Sequence, residues 1–298
     1  MKKLFFVMNP YAGQKKANKL LTEILTIFNR ADYDVTVHIT AAPGDGRQAV
    51  AARAAEFDLV VCCGGDGTFN ETVSGILESS AQVPVGYIPA GSTNDFANSL
   101  GLATDILQAA QDIVEGKPEA FDIGCFGGRY FSYVASFGAF TRTSYTTSQS
   151  LKNALGHAAY ILSGIQELSQ LKPAPVSFAL PDGTCVEGEY LFGAISNSTS
   201  VGGILTLAPD MVDMQDGKFE LLLIRAPKDL LELSECILAL QKQTYNCAMI
   251  TFLSTPRLSV TAPEDMPWTL DGEREEGHGR VEVTNLHHAI SVIRREQP

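Results

Sequence analysis

The sequence predicts an α/β N-terminal domain built on a parallel sheet, followed by a mainly antiparallel, β-sandwich-like C-terminal domain. Three observations carry this. Buried-strand and helix patterns alternate up to about residue 120. The texture then changes near residues 118–124, with no flexible linker. From Val176 onward, short strands and turn signals dominate. Regular β–α alternation places strands in parallel under helices on both faces, whereas short strands joined by tight turns pair antiparallel.

The elements follow in order. KKLFFVM is a buried strand, and residues 15–30 carry helical spacing, with Leu20, Leu21, Ile24, Leu25 and Phe28 on one face. YDVTVHIT is a strand; GDGRQAVAARAAE is a helix whose start Asp45 can cap. FDLVVCC is a fully buried strand running into Gly64-Gly65, with a helix through Thr72 to Leu77 behind it. VPVGYIPA is the next strand, followed by Gly91 and a further helical stretch. FDIGCFGGRYFSYVASFG reads as two strands joined by Gly127-Gly128. Residues 150–171 form a long helix with Leu155, Ala159, Leu162 and Ile165 along a face. The later strands are punctuated by turns at 181–183, 202–203 and 215–217 and by one amphipathic helix at 228–242. The predicted domains are 1–122, joined by the C-terminal segment 286–298, and 123–285.

Composition narrows the function. The chain has 298 residues, 45% of them hydrophobic, which supplies two real cores. A formal net charge of −12 disfavours sequence-independent nucleic-acid binding, and anionic headgroups repel an acidic protein. Any membrane contact is therefore local. The six cysteines form no zinc-spaced CxxC pairs and read as reduced core thiols of a cytoplasmic protein. The apolar run after Lys2-Lys3 is only about five residues long, shorter than the ~7–15 of a signal-peptide h-region, so it reads as a first strand.

Three loops follow strand ends, where ligands bind in open parallel sheets. The strongest is Gly64-Gly65-Asp66-Gly67-Thr68-Phe69-Asn70-Glu71, between a buried strand and a helix. Its glycines allow close backbone approach, and the helix start offers free N–H groups to phosphate. Asp66 would repel phosphate unless Mg²⁺ bridges the two. The competing reading is a tight turn with Asp66 as an N-cap. Neither the Walker pattern nor a GxGxxG fingerprint is present, which disfavours P-loop enzymes and dinucleotide oxidoreductases. The other two loops are Asn9-Pro10-Tyr11-Ala12-Gly13 and Gly91-Ser92-Thr93-Asn94-Asp95. Each by itself also fits a plain turn or helix cap.

NPYAG, GGDGTFNE and GSTNDFA together resemble the diacylglycerol kinase catalytic-domain family, which includes bacterial diacylglycerol kinases and their sphingosine and ceramide kinase relatives. FDIGCFGGRYF, NSTSVGGILTLAPDMVDMQDGKFELLLI and LDGE at 270–273 extend the resemblance over nearly the whole chain. GGDGT alone is shared with NAD kinases and phosphofructokinases, whose N-terminal fold this one is expected to share.

The resemblance implies an ATP-dependent kinase that phosphorylates a lipid hydroxyl, with ATP and Mg²⁺ in a cleft between the domains. ATP would contact Asn9, Gly13, Thr40, Gly64, Gly65, Asp66, Gly67, Thr68, Asn70, Glu71, Ser92 and Asn94. Asp66 and Asp95 would organise the catalytic Mg²⁺, with Asp122 supporting them. Asp271 or Glu273 would accept the acceptor's proton; two acids at this spacing project the same way if the segment is extended. LDGE read alone also fits a hairpin turn with two solvated acids. A second, structural Mg²⁺ would lie near Asp213, Asp216 and Lys218, the last through its carbonyl, although Pro209–Asp216 is one residue longer than the family's form. An ordinary type I turn is the alternative there.

His278 and the pair His287-His288 have no acid or cysteine partner at metal-ligand spacing and read as surface residues. Trp268 reads as core. The acceptor would enter an apolar channel for which Tyr145, Leu155, Tyr160 and Ile161 are candidates. The expected partner is a lipid at the membrane surface, met peripherally and transiently, with no nucleic acid; a homodimer is compatible with the sequence. A soluble NAD kinase-like enzyme and a non-catalytic nucleotide sensor are the alternative functions.

Overall fold

The computed structural model describes residues 1–13, 15–138, 172–201 and 205–295. The helix expected at 150–171 and the four channel candidates lie outside the described residues. The chain divides into two compact units: Met1–Ile123 with Leu286–Pro298, and Gly124–Asn285.

The first unit is a parallel sheet. Its strands are β1 (Lys2–Met8), β2 (Tyr33–Ile39), β3 (Leu59–Gly64) and β4 (Val85–Pro89). They are joined by the end of β17 (Arg280–Arg294) in the order β2-β1-β3-β4-β17. β1 pairs in parallel with β2 and β3, β3 with β4, and β4 with β17 through Val85 and Val292. β3 occupies the centre because all six of its residues are buried. Each large apolar side chain withdrawn from water there contributes roughly 1.5–3 kcal/mol.

Helices α1 (Lys16–Lys19), α2 (Leu21–Arg30), α3 (Asp45–Arg53), α4 (Asp66–Ser79), α5 (Asp95–Ser99) and α6 (Ile106–Glu115) cover the sheet. α2 buries Ile24 and Phe28, one turn apart, against Leu4, Phe6, Val61 and Ile113. The single helix expected over residues 15–30 is broken at Leu20, whose backbone leaves helical geometry (φ −101°, ψ 4°). Asn18 Nδ2 donates to Pro10 O, tying the short α1 to the loop after β1. Asp45 does not cap α3. Its carboxylate turns back to accept from Ala41 N, at 2.7 Å. The capping falls to Glu71, whose two oxygens accept from Gly44 N (2.7 Å) and Gly46 N (3.1 Å).

The second unit is antiparallel. β5 (Lys117–Phe126) and β17 both run from one unit into the other. Between them come β6 (Arg129–Phe131), β7 (Val134–Gly138), β8 (Ala174–Ala179), β9 (Cys185–Ser196), the short β10 (Ser200–Val201) and β11 (Leu205–Thr206), and β12 (Phe219–Arg225). α7 (Leu230–Gln241), β13 (Ile250–Thr255), β14 (Arg257–Thr261), β15 (Trp268–Leu270) and β16 (Glu273–Glu275) complete it. β9 is long enough to pair with β8 along its first half and with both β7 and β12 along its second. Trp268 is core, 4.9 Å from both the Phe126 and Phe137 ring centres. Cys62, Cys63 and Cys236 are buried, but Cys185 is exposed. No described helix is long and apolar enough to cross a membrane.

Candidate active site

In the first unit the three loops meet at the ends of β1, β3 and β4. Asn9 N donates to Cys63 O at 3.0 Å, and Asn9 Nδ2 reaches Thr68 Oγ1 at 3.3 Å. Backbone lies on backbone where the loops cross. A Cβ on Gly13 would stand 2.4 Å from Ala90 O, and one on Gly91 would stand 2.5 Å from Gly65 Cα. Gly13 also holds φ +49°, a conformation that glycine adopts without steric cost. Gly64 leaves no room for a side chain beneath Thr68, whose Oγ1 would lie 2.4 Å from a Cβ. Thr40 is buried after β2, its N–H donating to Met8 O at 2.9 Å.

Asp66 opens α4 without capping it. Its carboxylate instead accepts from Asp95 N (3.1 Å) and Phe96 N (3.2 Å), the first two residues of α5. Burial pushes the Asp66 carboxyl above its ordinary range; the two N–H donors oppose this, and the neighbouring Asp95 adds to it. Phe69 is stacked between Tyr87 and Phe96, at 4.6 and 4.7 Å, which fixes α5 against α4. Asn94 closes the third loop on itself, accepting from Gly91 N and donating to Gly91 O, while Ser92 is exposed beside it. Asn70 accepts from Ser74 Oγ at 3.5 Å. Gly67 sits in the first turn of α4. Glu71, expected among the nucleotide contacts, is committed to the start of α3.

Two acids close together, one of them deprived of solvent, form a donor set suited to a hard divalent cation. Mg²⁺ therefore fits Asp66 and Asp95.

In the second unit Asp271 and Gly272 are the turn of the β15–β16 hairpin, with φ +49° and +84°. Positive φ at both central residues is the type I′ hairpin turn. The extended segment expected to aim Asp271 and Glu273 together is thus replaced by a reversal that separates them. Asp271 is buried and accepts from Ser132 N (2.5 Å), Tyr133 N (3.0 Å) and Val134 N (3.1 Å). Glu273 is exposed and pairs with Arg129 at 2.6 Å, which also holds Glu275 at 2.6 Å.

The aspartate-glycine turn before β12 places Asp213 and Asp216 in successive side-chain-to-backbone turns, onto Gln215 N and Lys218 N, both at 2.9 Å. Lys218 O accepts from Asn285 Nδ2 at 2.9 Å, and Lys218 Nζ lies 3.5 Å from Asp216. The sequence reading missed Glu220. It is 2% exposed, and its Oε2 has no hydrogen-bond partner among the described residues. Burial pushes its carboxyl to about 8, with Asp216 and Asp213 pushing further and Ser254 opposing. The only signal was an acid at the head of an apolar strand, FELLLI. Three acids crowded together, Asp213, Asp216 and Glu220, fit a cation near the turn.

Asp122 is fully buried at the end of the first unit's chain path, and the structure brings His287 and His288 to it. This corrects the expectation that these histidines lack an acidic partner. Sequence spacing hid the contact, since 165 residues separate His287 from Asp122.

Residues 3–126 match the family model described as the diacylglycerol kinase catalytic domain. A diacylglycerol kinase of Bacillus subtilis (strain 168) is 35% identical over 98% of this chain and 96% of its own length. One from Staphylococcus carnosus (strain TM300) is 32% identical over 91% and 89%. The fold is shared with a crystal structure described as a diacylglycerol kinase from Bacillus anthracis str. Sterne (TM-score 0.75, 20% identity, 99% and 97% coverage). A second structure from that strain gives a TM-score of 0.81 at 23% identity, over 99% and 95%. The chain belongs to the diacylglycerol kinase family. It is accordingly a phosphotransferase of the lipid kinase class.

Proposed function

We propose that the protein transfers the γ-phosphate of ATP to a hydroxyl of diacylglycerol or a closely related lipid. The observation that carries this is the convergence of three glycine-bearing loops on half-buried Asp66 and buried Asp95. A polyphosphate needs close backbone approach and neutralised charge, and phosphoryl transfer needs little beyond alignment. The family relatives, named diacylglycerol kinases over most of their length, support the acceptor class.

In this reading Asn9, Gly13, Thr40, Gly64, Gly65, Gly67, Thr68, Asn70, Ser92 and Asn94 shape the nucleotide site, and Glu71 positions α3 beside it. Asp66 and Asp95 hold Mg²⁺, which supplies charge neutralisation on the phosphates when bound. The acceptor oxygen forms its bond to the γ-phosphorus as the bond to the leaving ADP oxygen breaks. The hydroxyl proton passes to a carboxylate, and we assign that role to Asp271. Its backbone donors hold it rigidly, whereas exposed Glu273 is held by Arg129. Asp213, Asp216 and the Lys218 carbonyl hold a second, structural cation near Glu220.

Membrane contact is peripheral, at the cytoplasmic face. Leu231 and Leu238 are 67% and 50% exposed on α7, seven residues and so about two turns apart on one helix face. They offer a local apolar contact that the net negative charge does not forbid.

The test offers labelled ATP and Mg²⁺ to the enzyme with diacylglycerol micelles and NAD side by side. Labelled phosphatidate is expected. Label on NAD, or no label on either, overturns the reading.

A further inference from the structure

The geometry points to a transition-metal site formed by Asp122, His287 and His288.

Consecutive residues of a regular strand point to opposite faces. His287 and His288 lie within β17, so regular geometry would send their rings apart. His288 instead takes φ +52°, a left-handed conformation rare for a side chain of this size. The alternation breaks there, and the two rings stack at 3.7 Å with 27° between their planes.

Both rings are gathered over one carboxylate. His287 Nδ1 lies 3.0 Å from Asp122 Oδ1, and the backbone N–H of His288 donates to the same oxygen at 2.8 Å. One ligand atom from each side chain lies within 4.8 Å of the other two. Among the described residues no other group of three His, Cys, Asp or Glu side chains meets that condition. With metal–ligand bonds of ~2.0–2.2 Å, neighbouring ligand atoms in a coordination shell stand about 3 Å apart. The His287–Asp122 distance already has that value. A metal would take the place of the proton shared between Nδ1 and the carboxylate, releasing it to solvent.

The donor set selects the class of ion. Two imidazoles and one carboxylate suit Zn²⁺, Co²⁺ or Ni²⁺, whereas Mg²⁺ prefers oxygen ligands and retains its waters. Burial differs across the set in the way such a site requires. Asp122 is inaccessible and anchors the group, while both histidines are exposed and leave an entry path and open positions for water. The site is independent of the identity of the lipid and of the transfer reaction.

The test uses the full chain, freed of metal by a chelator. Zn²⁺ is titrated in competition with a chromophoric chelator, and Co²⁺ by its visible absorption, in the wild type and in His287→Gln/His288→Gln. Binding by the cysteines is common to both proteins and cancels. Loss of an outer-shell partner alone costs about 10–100-fold in metal affinity. Removing two ligands should therefore weaken Zn²⁺ by more than about tenfold, and excess Mg²⁺ should not displace Zn²⁺ from the wild type. Circular dichroism confirms that the variant folds. His288→Gln alone provides a second comparison should the double variant be unstable. Equal uptake of Zn²⁺ and Co²⁺ by wild type and folded variant overturns the site, as does displacement by Mg²⁺.

Discussion

Glu220→Gln separates the cost of a buried charge from the benefit of a nearby cation. The Glu220 carboxyl is raised from its ordinary 4.5 to about 8, first by burial and then by Asp216 and Asp213. Below pH 4.5 the acid is protonated in both folded and unfolded chains. Between pH 4.5 and about 8 the folded chain keeps a proton that the unfolded chain releases, so stability falls as pH rises. Above about pH 8 the loss levels off at about 5 kcal/mol, the free-energy equivalent of that gap. Glutamine cannot ionise and so abolishes this slope. Its amide keeps an acceptor for Ser254 Oγ but puts an NH₂ where Oε2 has no partner, a cost of ~1–3 kcal/mol. In chelator at pH 9 the variant should therefore be more stable by about 2–4 kcal/mol, and at pH 5 slightly less stable than wild type. Added divalent cation at pH 9 should stabilise the wild type more than the variant. The assay is urea denaturation followed by Trp268 fluorescence. Trp268 is the chain's only tryptophan and lies in the core of the same unit as Glu220. Parallel pH profiles for the two proteins would contradict this role of Glu220.

Three further outcomes are expected. Asp271→Asn should lower kcat by about 10²–10⁴-fold, as for loss of a general base, while lowering the melting temperature because three backbone N–H groups lose a charged acceptor. A melting shift without the kcat loss assigns Asp271 to structure alone. Leu231→Glu/Leu238→Glu should cut sedimentation with diacylglycerol-bearing vesicles while leaving the far-ultraviolet dichroism intact. Unchanged sedimentation removes α7 from the membrane contact. Gly91→Ala places a Cβ 2.5 Å from Gly65 Cα and 2.7 Å from Asn94 Oδ1. The loops must separate, and since a 1 Å misplacement can cost about 10²-fold, transfer should fall by about that much; activity at the wild-type level would show that the loop contact is dispensable.

The architecture was readable because its signals are local. Leu59–Gly64 is an unbroken apolar run ending in glycines, and such a run has no stable place except the centre of a covered sheet. Gly64, Asp66 and Asn94 were readable for the same reason, as small or acidic residues at strand ends. What escaped was set by tertiary contacts. The Asp45 and Glu71 carboxylates are both close to α3, and nothing in the sequence indicates that the distant one, 25 to 27 residues away, caps it. Positive φ at Asp271 and His288 reverses the expected side-chain directions at both positions, and residue type alone does not forecast it. Glu220 reads as one polar residue in a strand until its burial is seen.

Phosphoryl transfer to a lipid is the proposed reaction. The most direct test follows label from γ-phosphate-labelled ATP into dioleoylglycerol in mixed micelles with Mg²⁺, for the wild type and Asp66→Asn. Labelled phosphatidate is expected from the wild type, with a loss of at least about a hundredfold in the variant. A folded wild type that binds ATP and labels no lipid would contradict it.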